Sequence, residues 1–465
     1  MISSPSTTST LAAKAGSDLF DQSALFEIAQ RLVEAARRAG ADDADAVAVR
    51  GVSQGVEVRD GRVEESERSE GDDVGLRVLL GRRQAVVSTN DVSGEAITRL
   101  AERAVAMARV APDDKFAGLA DPSLLARDCP DLDLLDPAIP STEELERRAQ
   151  EAEAAALALN GVTKSGGASA SAGIGGMVLV TSSGFRGSYL RSSQTISMTA
   201  ISGQGTGMER DYDYSSAPHA ADLQSPERVG RSAGERAVAR SNPRKLKTCQ
   251  IPVVYDPRVS GSLVGHLVSA VNGASIARKT SFLKDKLGEQ LFADNIRIID
   301  DPLRRRGLRS QPFDAEGVSV KELAIIEKGV LISWLLDCAT ARELKLSTTG
   351  HAHRGVSSPP SPGPYNLHLE AGEVTPAELI SDIREGFYVT DLIGSGVNGI
   401  TGDYSRGASG FFIENGKITY PVSEVTIAGH LLAMFKSVVA ANDLEFRYGV
   451  NAPTLRIEGL TLGGR

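Results

Sequence analysis

The first candidate for chemistry is a histidine in an apolar, helix-like stretch. His266 lies in SGSLVGHLVSAVNG, residues 260–273, which follows the strand-like run 251–255. Zinc hydrolases hold their metal with about three protein ligands and use a carboxylate to take a proton from the bound water. The stretch contains no second histidine and no glutamate. It therefore offers one metal ligand and lacks the rest of a zinc site.

A second candidate is the pair His351 and His353 in TTGHAHRG. Residues i and i+2 of a strand share a face, and imidazole is the commonest metal ligand. Further ligands would have to come from elsewhere, and by residue type these are His266, Cys338, Asp300 and Asp301. The glycines on both sides of the pair favour a solvent-exposed loop. All three histidines are thus weak metal candidates, and no catalytic residue is predicted.

Three glycines raise the question of a nucleotide site. Gly394, Gly396 and Gly399 match G-x-G-x-x-G after the strand-like GFYVTDLI. A dinucleotide site needs a helix directly after the glycines, because the pyrophosphate sits on the free N–H groups of its first turn. ITGDYSRGASG follows instead and is predicted to be loop. We expect a surface loop with ligand-contacting side chains, and the residues chosen by polarity and position are Asn398, Thr401, Asp403 and, from the other motif, His353.

The elements that must position these residues predict an α+β fold. Apolar residues at helical spacing predict helices over 23–39, 93–110, 141–160, 226–240 and 259–274. Two-residue turns predict hairpins at Asp60 with Gly61, at Gly81 with Arg82, at Lys328 with Gly329 and at Asn415 with Gly416. A last helix is predicted over 424–440.

These elements divide the chain into segments. The predicted segments are a disordered Ser/Thr-rich leader over 1–19, an N-terminal helix–sheet–helix domain over 20–115, a β-rich middle domain over 116–241, and a mainly antiparallel β domain with a few helices over 242–465.

Composition excludes several classes of protein. The chain has 465 residues, with 51 basic and 60 acidic side chains and a net charge of −9. Nucleic-acid binding is disfavoured because phosphate contacts require clustered lysine and arginine. No apolar run approaches the roughly 18 residues of a membrane span. The three cysteines are too few for a disulfide framework, and with no secretory signal the cytoplasm is the expected compartment.

Several segments, in this order, carry a resemblance to a known family. They are VEVRDGRVEESERSEGDDVGLRVL, SSGFRGSYLRSS, MERDYDYSSA, PVVYDPRVSGSLVGHL, LRSQPFDAEGVSVKE, TGHAHRG, NGITGDYSRGASGFFIENGKITYPV, NDLEFR and PTLRIEGLTLGG. The chain resembles the TldD/PmbA family from about residue 20 onward. The resemblance implies a heteromeric cytoplasmic metalloprotease that cleaves unfolded or extended peptides.

The resemblance also implies where the metal lies. In this family the TldD-type subunit carries a His-Glu-x-x-x-His motif and a further cysteine near the C-terminus, and the PmbA/TldE-type subunit lacks them. If His266 is the second motif histidine, Gly261 and Ser262 occupy the first histidine and glutamate positions, and FRYGVNAPTLRIEG contains no cysteine. We therefore expect a noncatalytic PmbA/TldE-type subunit without a cofactor, and zinc in a TldD-type partner.

The expected partners are the TldD-type catalytic subunit and a peptide substrate, with no nucleic acid and no membrane. The chain could also form a homodimer without its partner. Edge strands of the C-terminal hairpins are expected to pair with an extended peptide. Two alternatives are a stand-alone metal-dependent peptidase, with a site made from His266, His351, His353 and Cys338, and a regulatory binding protein, since family members have been described as modulators of DNA gyrase.

Overall fold

The computed structural model describes residues 21–464, and the predicted leader over 1–19 lies outside the described residues. Its first elements are α1 (Ser23–Arg38), β1 (Asp43–Arg59), β2 (Arg62–Leu80), β3 (Arg83–Thr89) and α2 (Gly94–Val110). Both helices were predicted, and the hydroxyl of Ser93 accepts from the Ala96 N–H to begin the second one. The helices bury their apolar stripes against one half of a sheet face.

The next elements continue the same sheet. They are α3 (Thr142–Leu157), β4 (Val162–Thr181), β5 (Arg186–Ser202), β6 (Glu209–Ala217) and α4 (Pro226–Ala239). β4 pairs antiparallel with β1, which gives one six-stranded sheet in the order β3-β2-β1-β4-β5-β6. α3 and α4 cover the other half of the face that α1 and α2 cover. Strands from the predicted first and middle domains therefore share one sheet.

The rest of the chain forms two further sheets and a short two-stranded pair. Its elements are β7 (Cys249–Tyr255), α5 (Pro257–Val271), α6 (Gly273–Ala277), β8 (Ile298–Asp301), β9 (Leu323–Glu327), β10 (Val330–Leu331), α7 (Cys338–Leu344), β11 (Ala352–His353), β12 (Ser361–Pro362), β13 (Asn366–Leu369), α8 (Pro376–Ile380), β14 (Glu385–Ile393), β15 (Asp403–Glu414), β16 (Lys417–His430), α9 (Leu431–Lys436), β17 (Val439–Ala440), β18 (Val450–Asn451) and β19 (Leu455–Gly463).

The larger of these sheets closes on itself. Its order is β16-β15-β14-β7-β19-β17, and β16 also pairs with β19 over residues 426–428. β14 and β15 therefore have strand neighbours on both sides, whereas β16 pairs with β19 over only those three residues, so peptide pairing along the rest of the outer edge of β16 stays a prediction. The smaller sheet has the order β10-β9-β8-β13-β18.

Three predicted hairpin turns are confirmed by their backbone angles. Asp60 and Gly61 have φ of 52° and 73°, and Asn415 and Gly416 have φ of 50° and 74°. The turn at residues 328 and 329 has the same signs. Positive φ at both central residues is the type I′ geometry whose twist matches paired strands. With sheets and segregated helices, the α+β prediction is confirmed.

Two local predictions were wrong. The helix expected over 424–440 is mostly strand: β16 runs to His430, Val425 and Ile427 alternate with exposed residues, and the helical turn α9 covers six residues. The segment ITGDYSRGASG becomes strand β15 from Asp403 onward, where it pairs with β14 and β16. In both places, pairing across the sheet outweighs the local pattern. Among residues 21–464, no helix is long and apolar enough to cross a bilayer.

Candidate functional site at helix α5

A cleft of about 480 Å³ lies between strand β6, helix α5 and the segment that leads into β18. We call it the α5 cleft. Helix α5 begins at Pro257, which fits the first turn because it lacks an N–H, and the Asp256 carboxylate accepts from the Arg258 N–H at 2.9 Å. Its apolar side chains, including Leu263 and Leu267, are buried in the C-terminal core.

Beyond Pro257 and Arg258 in its first turn, helix α5 lines the cleft with small residues only. These are Gly261, Ser262 and Gly265. The Ser262 hydroxyl donates to the Val259 carbonyl at 2.6 Å, so it is engaged with its own helix. Gly261 and Ser262 are the positions that the family resemblance assigns to the first metal histidine and the glutamate.

The backbone at Val450 lies close against Gly261. A Cβ added there would lie 2.8 Å from the carbonyl oxygen of Val450, whereas a Cβ added at Gly265 would meet nothing within 4 Å. A contact of 2.8 Å is shorter than real Cβ atoms show, so any side chain at position 261 would push α5 away from β18. The close approach of helix and strand therefore fits glycine and does not fit a histidine.

His266 does not share this face of the helix. Five residues along a regular helix correspond to a rotation of about 140°, and the His266 ring meets the edge of the Tyr404 ring at 5.8 Å. Its Nε2 atom is buried without a hydrogen-bond partner in the described structure. Burial, with a smaller contribution from the charge of Arg406, lowers the pKa of His266 to about 4. This imidazole is neutral at physiological pH.

The zinc that the family implies does not fit the residues of this chain. Position 261 has no room for a ligand, and the His266 ring meets Tyr404 on another side of the helix. Within residues 21–464, no three His, Cys, Asp or Glu side chains are grouped so that they could hold a metal ion.

The His351 prediction requires a correction. His351 was expected in a solvent-exposed loop, but the residue is fully buried. Its Nδ1 lies 2.7 Å from the Thr349 carbonyl, and its Nε2 lies 3.5 Å from a carboxylate oxygen of Asp300, which is also fully buried. His353 packs against Tyr365 at 4.5 Å between ring centroids, and burial lowers its pKa to about 4.

The residues that follow His353 bind the first sheet. The Arg354 guanidinium pairs with Asp45 on β1, which also receives Arg77 from β2 at 2.5 Å. A Cβ on Gly75 of β2 would lie 1.9 Å from the Val356 carbonyl, so the backbones touch. Burial alone would raise the pKa of Asp45, but the two guanidinium charges outweigh burial and hold it below its usual value. TGHAHRG therefore connects the C-terminal part of the chain to the first sheet.

The remaining metal candidate, Cys338, begins helix α7 and is buried. Burial, reinforced by the neighbouring Glu316 carboxylate, raises the pKa of its thiol well above the usual range. The thiol of Cys338 is therefore protonated in the metal-free chain. The structure does not gather the four candidates His266, His351, His353 and Cys338 into one site.

The structure brings Asn398, Thr401 and Asp403 together in one loop. The Asn398 side-chain oxygen accepts from the backbone N–H groups of Ile400 and Thr401, and the Thr401 hydroxyl donates to Asp403 at 2.6 Å. The shallow hollow at this loop is lined by residues within 395–405, whereas His353 belongs to the separate cluster with Tyr365. These side chains hold the turn, and their contact with a peptide stays a prediction.

Strand β6 contributes residues to the α5 cleft that were not among the predicted site residues. In its DYDY stretch the aspartates Asp211 and Asp213 are buried, and the tyrosines Tyr212 and Tyr214 line the cleft. The signal in the sequence was the strict alternation of one acidic and one aromatic residue, which gives the two faces of a strand different chemistry. The arginines that pair with these aspartates lie in distant segments, so the local sequence does not predict the pairs.

Aspartate and arginine side chains form hydrogen bonds with the backbone along the free edge of β6. The Tyr212 N–H donates to Asp211, and Arg258 donates both to Asp211 at 2.8 Å and to the Tyr212 carbonyl at 3.0 Å. Around Tyr214 the same arrangement recurs with Asp213 and Arg447. Burial alone would raise the pKa of Asp211, but Arg258, together with the Tyr212 N–H and Arg240, outweighs burial and lowers this pKa. The outward backbone groups of Tyr212 and Tyr214 on this edge strand are therefore already satisfied.

Three family models match almost the whole described chain. They are described as PmbA/TldA metallopeptidase domain 1 over residues 44–108, the central domain over 135–241 and the C-terminal domain over 248–464. Metalloprotease PmbA of Escherichia coli O157:H7 is 39% identical over 412 residues, which are 88% of this chain and 90% of the relative. The PmbA homolog of Haemophilus influenzae is 38% identical over 438 residues, covering 93% and 94%.

Solved structures share the fold. A proposed modulator of DNA gyrase from Bacteroides thetaiotaomicron has a TM-score of 0.87 and 27% identity, covering 94% of this chain and 98% of that one. TldE from Thermococcus kodakarensis has a TM-score of 0.84 over 94% of this chain and all of its own, and at 18% identity it supports the fold alone.

Proposed function

The chain belongs to the PmbA/TldD metallopeptidase family, and from this premise we propose that it is a noncatalytic, PmbA/TldE-type subunit of a heteromeric TldD/E-type metalloprotease. The complex would act on unfolded or extended peptides in the cytoplasm. The observation that carries the proposal is the 2.8 Å separation between the Val450 carbonyl and a Cβ at Gly261. This short separation leaves no space for a metal-binding side chain at position 261, which supports a subunit without the family's metal ligands.

In this proposal zinc is held by a TldD-type partner, and this chain binds and orients peptide. The α5 cleft supports that role, since it lies along the helix face that corresponds to the metal motif. Because the edge of β6 is occupied by its aspartate–arginine network, peptide would be held there by side-chain groups. Contact by Asn398, Thr401, Asp403 or His353 would be additional.

Reconstitution with a TldD-type subunit tests the proposal. Cleavage of an unstructured, fluorogenic peptide would be measured with each chain alone and with both together. We expect cleavage only in the mixture, loss of cleavage on adding a chelator, and recovery on adding zinc. Equal cleavage by the TldD-type subunit alone, or zinc-dependent cleavage by this chain alone, would refute the subunit role.

A further inference from the structure

One guanidinium in the α5 cleft is held in place without a counter-charge. Arg309 lines the cleft, and within residues 21–464 no carboxylate lies within 4.0 Å of its side-chain nitrogens. Its backbone N–H donates to the Asn366 side-chain oxygen at 2.9 Å. A Cβ on Gly449 would lie 2.1 Å from the Arg309 Nε, so the guanidinium rests directly on the Gly449 backbone. The chain thus positions a cation at the cleft.

The other two cleft arginines are already neutralised. Arg258 pairs with Asp211 at 2.8 Å, and Arg447 pairs with Asp213 at 3.0 Å. Both aspartates are at least 96% buried and also receive a further arginine each, from α4 and its C-terminal cap. Arg309 is the cleft charge that a ligand could neutralise.

Phenol groups form the wall beside this cation. The Tyr212 and Tyr214 rings stack at 6.4 Å, and the Tyr448 ring lies 5.6 Å from that of Tyr214. Burial, with the neighbouring Tyr448 next, raises the pKa of Tyr214 to about 12, so its hydroxyl keeps its proton and can donate. The wall offers ring faces and hydroxyl donors, and it presents no unpaired carboxylate.

These features select one ligand chemistry. A guanidinium presents a planar fork of N–H donors that matches a carboxylate, and phenol hydroxyls can donate to the same group. A peptide backbone alone gains little here, because the outward N–H and C=O groups of Tyr212 and Tyr214 are occupied. We propose that the α5 cleft binds an extended peptide through a carboxylate, with Arg309 as its charged ligand. The inference rests on the proposed peptide-binding function and adds a preference for anionic segments.

Two sources share this chemistry: an aspartate or glutamate side chain, and the α-carboxylate at a peptide's C-terminus. Fluorescence anisotropy with this chain and a labelled, unstructured twelve-residue peptide separates them. The peptide would contain one glutamate and a free C-terminus, and would be compared with its Glu→Gln form, its C-terminal amide and the doubly changed form. We expect loss of the recognised carboxylate to weaken binding about five-fold, the upper range for one accessible ion pair.

The charge partner is tested by Arg309→Gln. We expect this variant to bind all four peptides with the weaker affinity, so that the preference disappears, and Arg309→Lys to restore part of it. Arg82→Gln, an exposed change at the β2–β3 turn with the same effect on net charge, should keep the full preference. Native Trp334 fluorescence would show that each variant is folded.

The inference is overturned if Arg309→Gln keeps the preference, or if the four peptides bind the wild-type chain alike or fail to bind. Failure of the proposed function looks different. If cleavage by a TldD-type subunit does not require this chain, but Arg309→Gln still removes the carboxylate preference, the subunit role fails and the binding site remains. If cleavage requires the chain and Arg309→Gln changes neither binding nor substrate preference, only the inference fails.

Discussion

Two glycines on α5 provide a matched pair for testing the geometry of the site. Gly261 and Gly265 lie one turn apart and both line the α5 cleft. The two positions differ in the space available for a Cβ. At position 261 a Cβ would lie 2.8 Å from the Val450 carbonyl oxygen, whereas at position 265 it would meet nothing within 4 Å. We predict that Gly265→Ala stabilises the protein and that Gly261→Ala does not.

The magnitudes follow from two opposing effects. Replacing a helical glycine by alanine favours the helix by about 1 kcal/mol, because the unfolded chain loses conformational freedom. This is the whole effect expected at Gly265. At Gly261 the new methyl group must displace α5 or β18, and overpacking of this kind costs about 1–3 kcal/mol. Gly261→Ala should therefore be less stable than Gly265→Ala by about 1–3 kcal/mol.

Urea unfolding followed by tryptophan fluorescence measures this difference. Trp334 is the only tryptophan in the sequence, and it is buried in the same core cluster as Leu263 and Leu267 of α5. Its signal therefore reports the unfolding of the part that holds the helix. Equal stabilisation by both substitutions would show that position 261 has room for a side chain, and the argument against a metal ligand there would fail.

Three further predictions concern buried charge and protonation. Asp45→Asn leaves Arg354 and Arg77 buried without the Asp45 charge and should lower the free energy of unfolding by about 3–5 kcal/mol. The control Asp113→Asn, at an exposed pair with Arg83, should cost under about 1 kcal/mol. Equal effects of the two substitutions in thermal unfolding would exclude the buried contact. The pKa of His266 is about 4 in the folded protein, below its ordinary value of 6.5. Between these two pH values the unfolded state binds more protons than the folded state. His266 therefore contributes stability that is lost as the pH falls from 6.5 to about 4. NMR titration should show a neutral His266 imidazole at pH 5.5, and a charged ring there would contradict its burial. Cys338 should resist a thiol reagent at pH 8 in the native protein while exposed Cys129 reacts, and equal labelling would show that Cys338 is accessible.

Much of the fold could be predicted because its signals are local. The Asn415–Gly416 and Asp60–Gly61 pairs require positive φ, and both form the turns that their residue types favour. Helix α5 was predictable from its apolar stripe, and the sequence shows that this stretch contains one histidine and no glutamate. The family resemblance places the metal motif on the same helix, and the structure shows that the Val450 carbonyl leaves no space for a side chain at position 261.

The errors lie where distant segments determine the outcome. His351 was expected in an exposed loop, but its ring is buried beside Asp300 and Tyr365. Nearby Arg354 reaches Asp45, which is 309 positions earlier in the chain. The strand β16 replaced a predicted helix because its residues pair with β15 and β19. Arg258 and Arg447, which pair with the aspartates of the DYDY stretch, both lie in the C-terminal domain. None of these contacts leaves a trace in a local sequence pattern.

Quantifying zinc in the purified chain tests the central claim most directly. After expression in zinc-rich medium and removal of loosely bound ions, elemental analysis would be performed on this chain alone. We predict less than about a tenth of an equivalent of zinc per chain, since α5 supplies one buried, neutral histidine and a position closed by the Val450 carbonyl. Binding close to one equivalent, held by this chain's own side chains, would contradict the account.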